Sequence, residues 1–441
     1  MKRTLLILLT AALLLSVCRC GQASLPGPED SGTQARQPES NENTGAVYTP
    51  SGEGITFLTA KTFSSDRVPQ KVSSDFSRSY ADFALRLLAE CGDGALVSPL
   101  SVLTALQMTA NGARGETLEE MRRVLGGDMT VEELNAQLFN YYESLNSTAD
   151  AYIRYSNAVW TSDRTDFHVN PDFVRLVGNT FRADVATAPL FDPSTVDAIN
   201  AWCAARTDGM IPKILGYDDV SYDTLMVLLN AICFDALWSS QYQPFSCRDA
   251  VFHGKSGDRT VTMMYSEESR YIKGDRESGF VKTYSGGDYA FVALLPDKGT
   301  AIDEYVKSLT ADKLISLIGG AKGRVQAGLP KFSYDWSGSL VEIMQTLGMN
   351  LCFTERSDLS GLGYLDNGDA LAISKIIHKT HIDVDESGTR AAAVTAVIVD
   401  RVTSVAPQTV PEVILDRPFV YAIIDTANGL PIFIGTACDI D

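Results

Sequence analysis

Histidine is scarce in this sequence, and the residue patterns on which most enzymatic chemistry depends are absent. The 441 residues include four histidines, none of them in an HExxH zinc-binding pattern. No GxSxG, GxxxxGK or GxGxxG segment occurs, which argues against a hydrolase, a phosphate loop and a dinucleotide site. His378 and His381 lie three apart in a strand-like segment, where their side chains would point to opposite faces. We therefore expect no enzymatic activity, no metal and no cofactor.

Positive charge and long apolar runs are also in short supply. The chain has 37 Lys and Arg against 55 Asp and Glu, a formal net charge of -18. This acidity disfavours nucleic acids and anionic membrane surfaces as partners. Beyond the N-terminus no apolar stretch is long enough to span a bilayer.

The first twenty residues are typical of an export signal. Two basic residues precede an apolar run over residues 5–17, which is too short for a spanning helix. Cys18 or Cys20 is a candidate lipid-attachment site, although Val17 and Arg19 stand where a lipoprotein signal has a small residue. We expect residues 1–20 to be a signal peptide, and the protein to be extracellular or a cell-surface lipoprotein. The membrane would then be contacted only through a lipid.

A polar segment separates this signal from the folded part. Its first thirty residues are rich in Gly, Pro, Ser, Glu and Asn, and cannot bury enough apolar surface to become ordered. We expect a disordered tether over residues 21–71 and one folded domain over residues 72–441.

Cysteine pairs with metal-site spacing are missing. After the signal, six scattered cysteines remain without a CxxC pair, so a zinc site is not expected. Export permits disulfides, whereas the apolar run around Cys233 favours a buried thiol. We favour buried thiols.

Helix signals dominate the first part of the domain and strand signals the rest. Ser98 before Pro99 predicts a helix start, and capping boxes at Thr117 and Thr130 predict two more. Apolar, β-branched segments follow, and an Asn-Gly turn joins the last two predicted strands. This order predicts an α+β fold.

One segment fits neither helix nor strand preference. In "DESGTRAAAVTAV", which begins at Asp385, alanines favour helix while Val and Thr favour strand. As a strand, its alternate residues from Thr389 onward would form one uncharged face of small and β-branched side chains.

Six blocks in order resemble the serpin family of serine-protease inhibitors. They are "LVSPLSVLTALQMTANGARGETLEEMRRVL", "NAICFDALW…PF", "VQAGLPKF", "LGM…F…DLSGL", "ISKIIHKTHIDVDESGTRAAAVTAV" and "DRPFVYAIID…PIFIGTA". The resemblance runs from about Phe76 to the C-terminus. It implies the serpin fold, with three β-sheets, eight or nine helices and an exposed reactive-centre loop. It also implies a monomer that traps a protease when its cleaved loop inserts into the main sheet.

The resemblance assigns roles to two groups of residues. The hinge of the moving loop would comprise Glu386, Gly388, Thr389, Ala391, Ala393 and Thr395. Opening of the sheet would be controlled by Ser98, Ser101, Asn230, Trp238, Lys331 and His378. Lys331 would pair with Glu386, and Trp238 would lie beneath that pair. Ser387 departs from the family, where a second acidic residue is common.

The resemblance also implies a position for the reactive bond. The family's spacing from the hinge glycine places it at Val402-Thr403, whereas counting back from the C-terminal block ends near Pro407. Arg401, Val405 and Ala406 therefore remain alternatives. Val or Ala suits an elastase-like or subtilisin-like serine endopeptidase, and Arg401 a trypsin-like one. Cysteine endopeptidases are a further target class. The alternative function is a non-inhibitory serpin that acts as a binding or carrier module; a hydrolase lacks a visible nucleophile and base.

Overall fold

The computed structural model describes residues 54–58, 68–389 and 410–440. Within these ranges the chain forms nine α-helices: α1 (Ser74–Cys91), α2 (Pro99–Ala110), α3 (Gly115–Leu125), α4 (Val131–Ser144), α5 (Pro171–Phe181), α6 (Pro193–Arg206), α7 (Ile302–Ser308), α8 (Ala311–Gly319) and α9 (Val341–Thr346). Three single-turn 3₁₀ segments lie at Tyr217–Asp219, Pro244–Ser246 and Leu351–Phe353.

The same residues contain nineteen strands, so the fold is α+β, as predicted. They are β1 (Thr56–Phe57), β2 (Leu96–Val97), β3 (Ala151–Ser162), β4 (Phe167–Val169), β5 (Asp184–Ala188), β6 (Met226–Leu237), β7 (Cys247–Gly254), β8 (Gly257–Glu268), β9 (Arg270–Lys273), β10 (Glu277–Thr283), β11 (Tyr289–Pro296), β12 (Val325–Pro330), β13 (Phe332–Ser339), β14 (Gly363–Leu365), β15 (Ile377–Val384), β16 (Gly388–Thr389), β17 (Glu412–Ile414), β18 (Phe419–Asp425) and β19 (Pro431–Ala437).

These strands form one large sheet and three smaller ones. The main sheet has seven strands in the order β1-β5-β3-β6-β16-β15-β13. A six-stranded sheet has the order β2-β19-β18-β11-β10-β9, a four-stranded sheet the order β17-β12-β8-β7, and β14 pairs with β4. The predicted C-terminal hairpin is present as β18 and β19, which are antiparallel.

The two faces of the main sheet pack against different layers because side chains alternate along a strand. On β6, Ile232 and Phe234 belong to the large core that includes α2, whereas Leu229 and Ala231 belong to a smaller core with Trp202 of α6. The main sheet therefore lies between α2 on one side and α6 on the other.

Two predicted helix starts are confirmed and one is wrong. Ser98 caps α2 by accepting a hydrogen bond from the Ser101 backbone, and Thr130 forms a full capping box on α4. The helix assigned to Thr117 instead begins at Gly115. The Thr117 hydroxyl is buried and accepts a hydrogen bond from the Asp358 backbone N–H, so a tertiary contact replaces the predicted local cap.

Residues 54–58 lie within the predicted tether, and the structure differs from that prediction here. They contain β1, which pairs antiparallel with the outer strand β5. The Phe57 ring meets Trp160 edge to face at 6.2 Å between centroids. Burial of this aromatic pair gives the short strand the apolar contact that the polar segment around it lacks.

The six cysteines of the described residues all carry free thiols. Four are buried, and Cys91 and Cys247 are partly exposed. Burial raises the pKa of the Cys203 and Cys233 thiols to about 12. In the ranges described, no helix is long and apolar enough to cross a membrane.

Candidate functional site

The short strand β16 lies between two long strands of the main sheet. Gly388 and Thr389 pair antiparallel with Leu237 and Ala236 of β6, and Thr389 also pairs with Val384 of β15. The chain therefore leaves β15, turns back through three residues and starts a new central strand. Its continuation, residues 390–409, lies outside the described residues.

This reversal depends on a close backbone approach and a carboxylate. The Asp385 side chain accepts hydrogen bonds from the backbone N–H groups of Ser387 and Gly388, at 2.7 and 3.0 Å. A Cβ atom on Gly388 would lie 2.0 Å from the carbonyl oxygen of Ala236, which no side chain tolerates. Glycine at this position is required by contact with β6.

Aromatic rings support the new strand from inside. The Thr389 side chain is 2% exposed, and its hydroxyl lies 2.5 Å from the hydroxyl of Tyr284. The Tyr284 ring stacks on Trp238 with 4.4 Å between centroids. The Trp238 indole N–H donates to the carbonyl oxygen of Asp385 at 2.8 Å, so the aromatic stack also fixes the reversal.

An ion pair marks the surface above this stack. Lys331 Nζ lies 2.9 Å from a carboxylate oxygen of Glu386. The hydrogen bond that Lys331 donates to Glu386 raises the pKa of Lys331. The negative charge of that carboxylate also raises it, whereas partial burial lowers it. Lys331 follows β12, so this pair links the hinge to another part of the chain. Because both side chains are more than a third exposed, the stabilisation is modest.

A buried polar cluster lies farther down the sheet. His378 Nε2 on β15 accepts a hydrogen bond from the Ser98 backbone N–H, at 2.9 Å. The Ser101 hydroxyl donates to the carbonyl oxygen of Asn230 on β6, and the Asn230 side-chain amide donates to Asn157 on β3 at 2.7 Å. The N-terminus of α2 thus bonds to the strands on both sides of β16.

Burial leaves His378 neutral. The side chain is fully enclosed, and this lowers its pKa to about 4. Since Nε2 accepts the hydrogen bond from Ser98, the proton of the neutral ring lies on Nδ1. His381 points to the opposite face, where its ring contacts the Asp335 carboxylate at 2.8 Å.

Below β16 a gap separates the described strands β6 and β15. In the described residues no backbone pairing joins β6 directly to β15. A cavity of about 550 Å³ occupies this gap, between residues 225–230 on one side and 371–378 on the other. Side chains of α2, among them Ser101 and Ala105, line its inner end. We call this gap the slot; among the described residues, no strand pairs with β6 and β15 below β16.

The structure gathers the described site residues at two levels of this slot. Glu386, Gly388, Thr389, Trp238 and Lys331 lie at its upper end. Ser98, Ser101, Asn230 and His378 surround its middle. The remaining predicted positions lie outside the described residues: Ala391, Ala393, Thr395, Arg401, Val402, Thr403, Val405, Ala406, Cys18 and Cys20.

The sequence reasoning missed Tyr284, Asn157 and the role of Asp385. Asp385 carries a local signal, because Asp two or three residues before such N–H groups is typical of an Asx turn. Tyr284 and Asn157 have no local sequence signal, because their hydrogen-bond partners are distant in the chain. Only the fold brings them to the slot.

The chain is similar to serpins throughout its folded part. The family model described as "Serpin (serine protease inhibitor)" matches residues 78–440. Leukocyte elastase inhibitor of Sus scrofa is 31% identical over 360 residues, which cover 77% of this chain and 91% of the relative.

Solved structures agree with this. The native state of tengpin, a thermophilic serpin, matches with a TM-score of 0.82 at 38% identity, over 88% of this chain and all of that one. The latent state of tengpin matches with a TM-score of 0.74 at 37% identity, over 85% of this chain and all of that one. The fold described here is thus the serpin fold.

Proposed function

The chain belongs to the serpin family of serine-protease inhibitors, and we propose that it acts as a suicide substrate that traps serine endopeptidases. A target cleaves the reactive loop and becomes acylated, and the cut loop then fills the slot and carries the enzyme with it. The proposal extends to cysteine endopeptidases, which also form acyl intermediates. The single observation that carries it is the first strand residues of the loop, β16, paired with both β6 and β15 at the head of the slot.

The register of β16 predicts where the rest of the loop would lie. Each step beyond Thr389 moves one residue back along both β6 and β15. Thr395 would then lie between Asn230 and His378, within the buried polar cluster. Its hydroxyl could donate to one neighbour and accept from the other, as a polar group in that position must.

The small side chains of the hinge suit the same slot. Alternate residues from Thr389, including Ala391 and Ala393, would face α2, where Ser101 and Ala105 leave little depth. A long or charged side chain on this face would have no water and no partner. The small residues at alternate positions of the hinge would therefore all lie on the face of the new strand that α2 covers.

Insertion of the loop into the slot would give a state of lower free energy than the native state. A new central strand gains roughly a dozen hydrogen bonds of about 0.5–1.5 kcal/mol each. The sum, on the order of 10 kcal/mol, rivals the stability of a whole domain. The native state must therefore persist because of a kinetic barrier. The hydrogen bonds from α2 to both sides of the slot contribute to that barrier.

We place the reactive bond at Val402-Thr403 and propose an elastase-like or subtilisin-like target. The similarity to an inhibitor of leukocyte elastase supports an elastase-like target. Arg401 would instead direct a trypsin-like enzyme to the preceding bond. We further propose that the protein is exported through residues 1–20 and is either released or anchored through Cys18 or Cys20.

Intact-mass analysis tests the mechanism. The pure protein is mixed briefly with an elastase and, separately, with a trypsin, then denatured. We expect a covalent adduct, with a released C-terminal peptide whose mass identifies the cleaved bond. Cleavage without adduct, and without a rise in the thermal midpoint of the cut protein, would exclude the trapping mechanism and leave a carrier.

A further inference from the structure

Lys282 is a buried lysine at a point where three sheets meet. It lies on β10 of the six-stranded sheet, and its side chain is 2% exposed. Its Nζ donates a hydrogen bond at 2.8 Å to a carboxylate oxygen of Glu268, the last residue of β8 in the four-stranded sheet. The Ser266 hydroxyl donates to the same oxygen at 2.7 Å. Because burial of an ion pair seldom adds stability, the position of this pair indicates another role.

The Lys282 ammonium group also lies over two aromatic rings. Its Nζ is 4.3 Å from the centre of the Tyr242 ring and 5.4 Å from that of the Trp238 ring, at the end of β6. The two rings meet edge to face, with 6.5 Å between centroids. A cation is attracted to the negative face of an aromatic ring, and the attraction is strongest where water is excluded. Lys282 therefore restrains both rings from one point.

These two aromatic residues hold the hinge by its backbone. The Trp238 N–H donates to the carbonyl oxygen of Ser387, and the Tyr242 N–H donates to that of Glu386, both at 2.9 Å. The Trp238 indole N–H donates to the carbonyl oxygen of Asp385. All three carbonyl groups of the reversal between β15 and β16 are thus bound by residues whose rings lie beside the same ammonium group.

We propose that Lys282 is a positioning residue for protease trapping, which fixes Trp238 and Tyr242 and, through them, the hinge. The inference rests on the proposed function, because only a chain that inserts its loop needs the start of the new strand held in place. When the hinge carbonyl groups are held, a cut loop extends β16 directly. A loose hinge delays insertion, and the acylated enzyme then has time to deacylate and leave.

A neutral side chain at position 282 would fill the same space without the same restraint. Apolar packing has no preferred direction, whereas the ammonium group is drawn to both ring faces and to the Glu268 carboxylate. In some proteins buried ionic groups fix one arrangement at a cost in stability. The pair of Lys282 and Glu268 fits that description, because it lies directly behind the residues that bind the hinge.

The ratio of cleaved to trapped protein measures this role. Lys282→Met removes the charge and keeps a long unbranched side chain. With an elastase as the probe, we expect this ratio to rise about five- to thirtyfold. The total rate of loop cleavage should stay as in the wild type, because a buried lysine cannot contact the protease. The thermal midpoint should fall, because Glu268 is left without its cation.

A double variant separates positioning of the hinge from compensation of charge. Lys282→Met combined with Glu268→Gln leaves no unpaired charge, so its thermal midpoint should return to that of the wild type or exceed it. Its ratio of cleaved to trapped protein should stay raised, because the cation between the rings is still missing. Recovery of both the midpoint and the ratio would overturn the proposal, since Lys282 would then serve only to neutralise Glu268.

The chain offers a matched control on the same strand. Lys313 of α8 lies 2.7 Å from the fully buried carboxylate of Glu277 on β10, and its Nζ is 5.9 Å from the centre of the Tyr305 ring of α7. These contacts join β10 to two helices. Lys313→Met should therefore lower the thermal midpoint and leave the ratio as in the wild type. An equal rise of the ratio in Lys313→Met and Lys282→Met would assign the effect to lost stability and overturn the proposal.

Amide hydrogen exchange tests the hinge without a protease. The backbone N–H groups of Trp238 and Tyr242 should exchange faster in Lys282→Met and in the double variant than in the wild type, because both donate to the hinge. If the wild type forms covalent adducts and the variants match it in ratio and exchange, the positioning role alone is wrong. A wild type that forms no adduct would overturn the proposed function, and the role in trapping with it.

Discussion

The hydroxyl groups of Tyr284 and Thr389 lie 2.5 Å apart at the buried head of the main sheet. The Thr389 side chain is enclosed in β16, and Tyr284 stacks on Trp238 beneath it. In the native protein, the first two residues of the inserted strand, Gly388 and Thr389, are therefore already in place. Insertion, once a loop is cut, would extend an existing strand and need not nucleate a new one.

Removing one hydroxyl from this contact should weaken the native hinge without disturbing its shape. Tyr284→Phe and Thr389→Val each delete one partner, and we expect each to lower the free energy of unfolding by about 1 kcal/mol. The double variant should lose little more than either single variant, because the two share one hydrogen bond. Thermal or urea unfolding of the four proteins measures the coupling. Fully additive losses would mean that the hydroxyls do not act together.

Local sequence patterns predicted the parts of this fold that local contacts determine. The caps at Ser98 and Thr130 follow from short-range hydrogen bonds, and the structure contains both. Thr117 has the same pattern, yet its hydroxyl binds the backbone 241 residues away in the chain. Propensity cannot anticipate such a partner, because the competing contact exists only after folding.

The candidate site divides along the same line. The hinge can be predicted from the sequence because this segment must suit both a loop and a buried strand. Its alternate residues are therefore small or β-branched and uncharged. Tyr284 and Thr389 are 105 residues apart, and Asn157 and Asn230 are 73 apart. Neither pair belongs to a sequence motif. The resemblance to a family implies the mechanism, whereas the contacts that hold the native state form only in the folded chain.

A charged side chain at the buried hinge position should convert an inhibitor into a substrate. Thr389→Arg would place a guanidinium where the native side chain is 2% exposed and its hydroxyl contacts that of Tyr284. The charged side chain would displace β16 from its place between β6 and β15, so insertion would have no existing strand to extend. The acylated protease would then have time to deacylate. We expect the ratio of cleaved to trapped protein to rise by about tenfold or more, which corresponds to an increase of roughly 1.4 kcal/mol or more in the free-energy barrier to insertion.

The matched control for this change is Thr389→Ser, which keeps the hydroxyl and adds no bulk. Its ratio should stay near that of the wild type. Gel analysis of the products at several protease concentrations gives both ratios. Equal behaviour of the arginine and serine variants would show that trapping does not depend on a buried, uncharged side chain at position 389.

The register also predicts a partner for Arg390, which lies just beyond the described residues. One step past Thr389 corresponds to Asp235 on β6 and Asp383 on β15, one on each side of the slot. Partial burial and the nearby Asp385 raise the pKa of Asp383. A guanidinium between these carboxylates would relieve that unfavourable environment.

Arg390→Glu should therefore slow insertion and raise the cleaved fraction severalfold. Adding Asp383→Arg to that variant should recover part of the loss, because one attractive pair is restored across the slot. The single variant Asp383→Arg serves as the control and should resemble Arg390→Glu. Product ratios measured at two salt concentrations provide the test. Failure of the double variant to improve on both single variants would place Arg390 elsewhere.

Acid should weaken the native state through His378. Burial lowers the pKa of this imidazole to about 4, compared with about 6.5 in an unfolded chain. Between pH 6.5 and 4, the His378 imidazole is protonated in the unfolded chain and remains neutral in the native state. Stability from this residue is therefore complete above pH 6.5 and is lost as pH falls toward 4, by up to about 3 kcal/mol. A protonated ring also cannot accept the hydrogen bond from Ser98, which lies beside the slot.

Replacement with an uncharged residue isolates this contribution. His378→Gln keeps a hydrogen-bond acceptor for the Ser98 N–H, so its thermal midpoint should fall less than that of the wild type between pH 7 and about 4.5. His253→Gln, at an exposed histidine beside Asp258, should follow the wild type. The hydrogen bond from Ser98 to His378 joins α2 to β15 at the slot. Acid should therefore also hasten insertion of the uncut loop, and more in the wild type than in His378→Gln. Parallel pH profiles for the wild type and His378→Gln would mean that this imidazole is not the group that titrates.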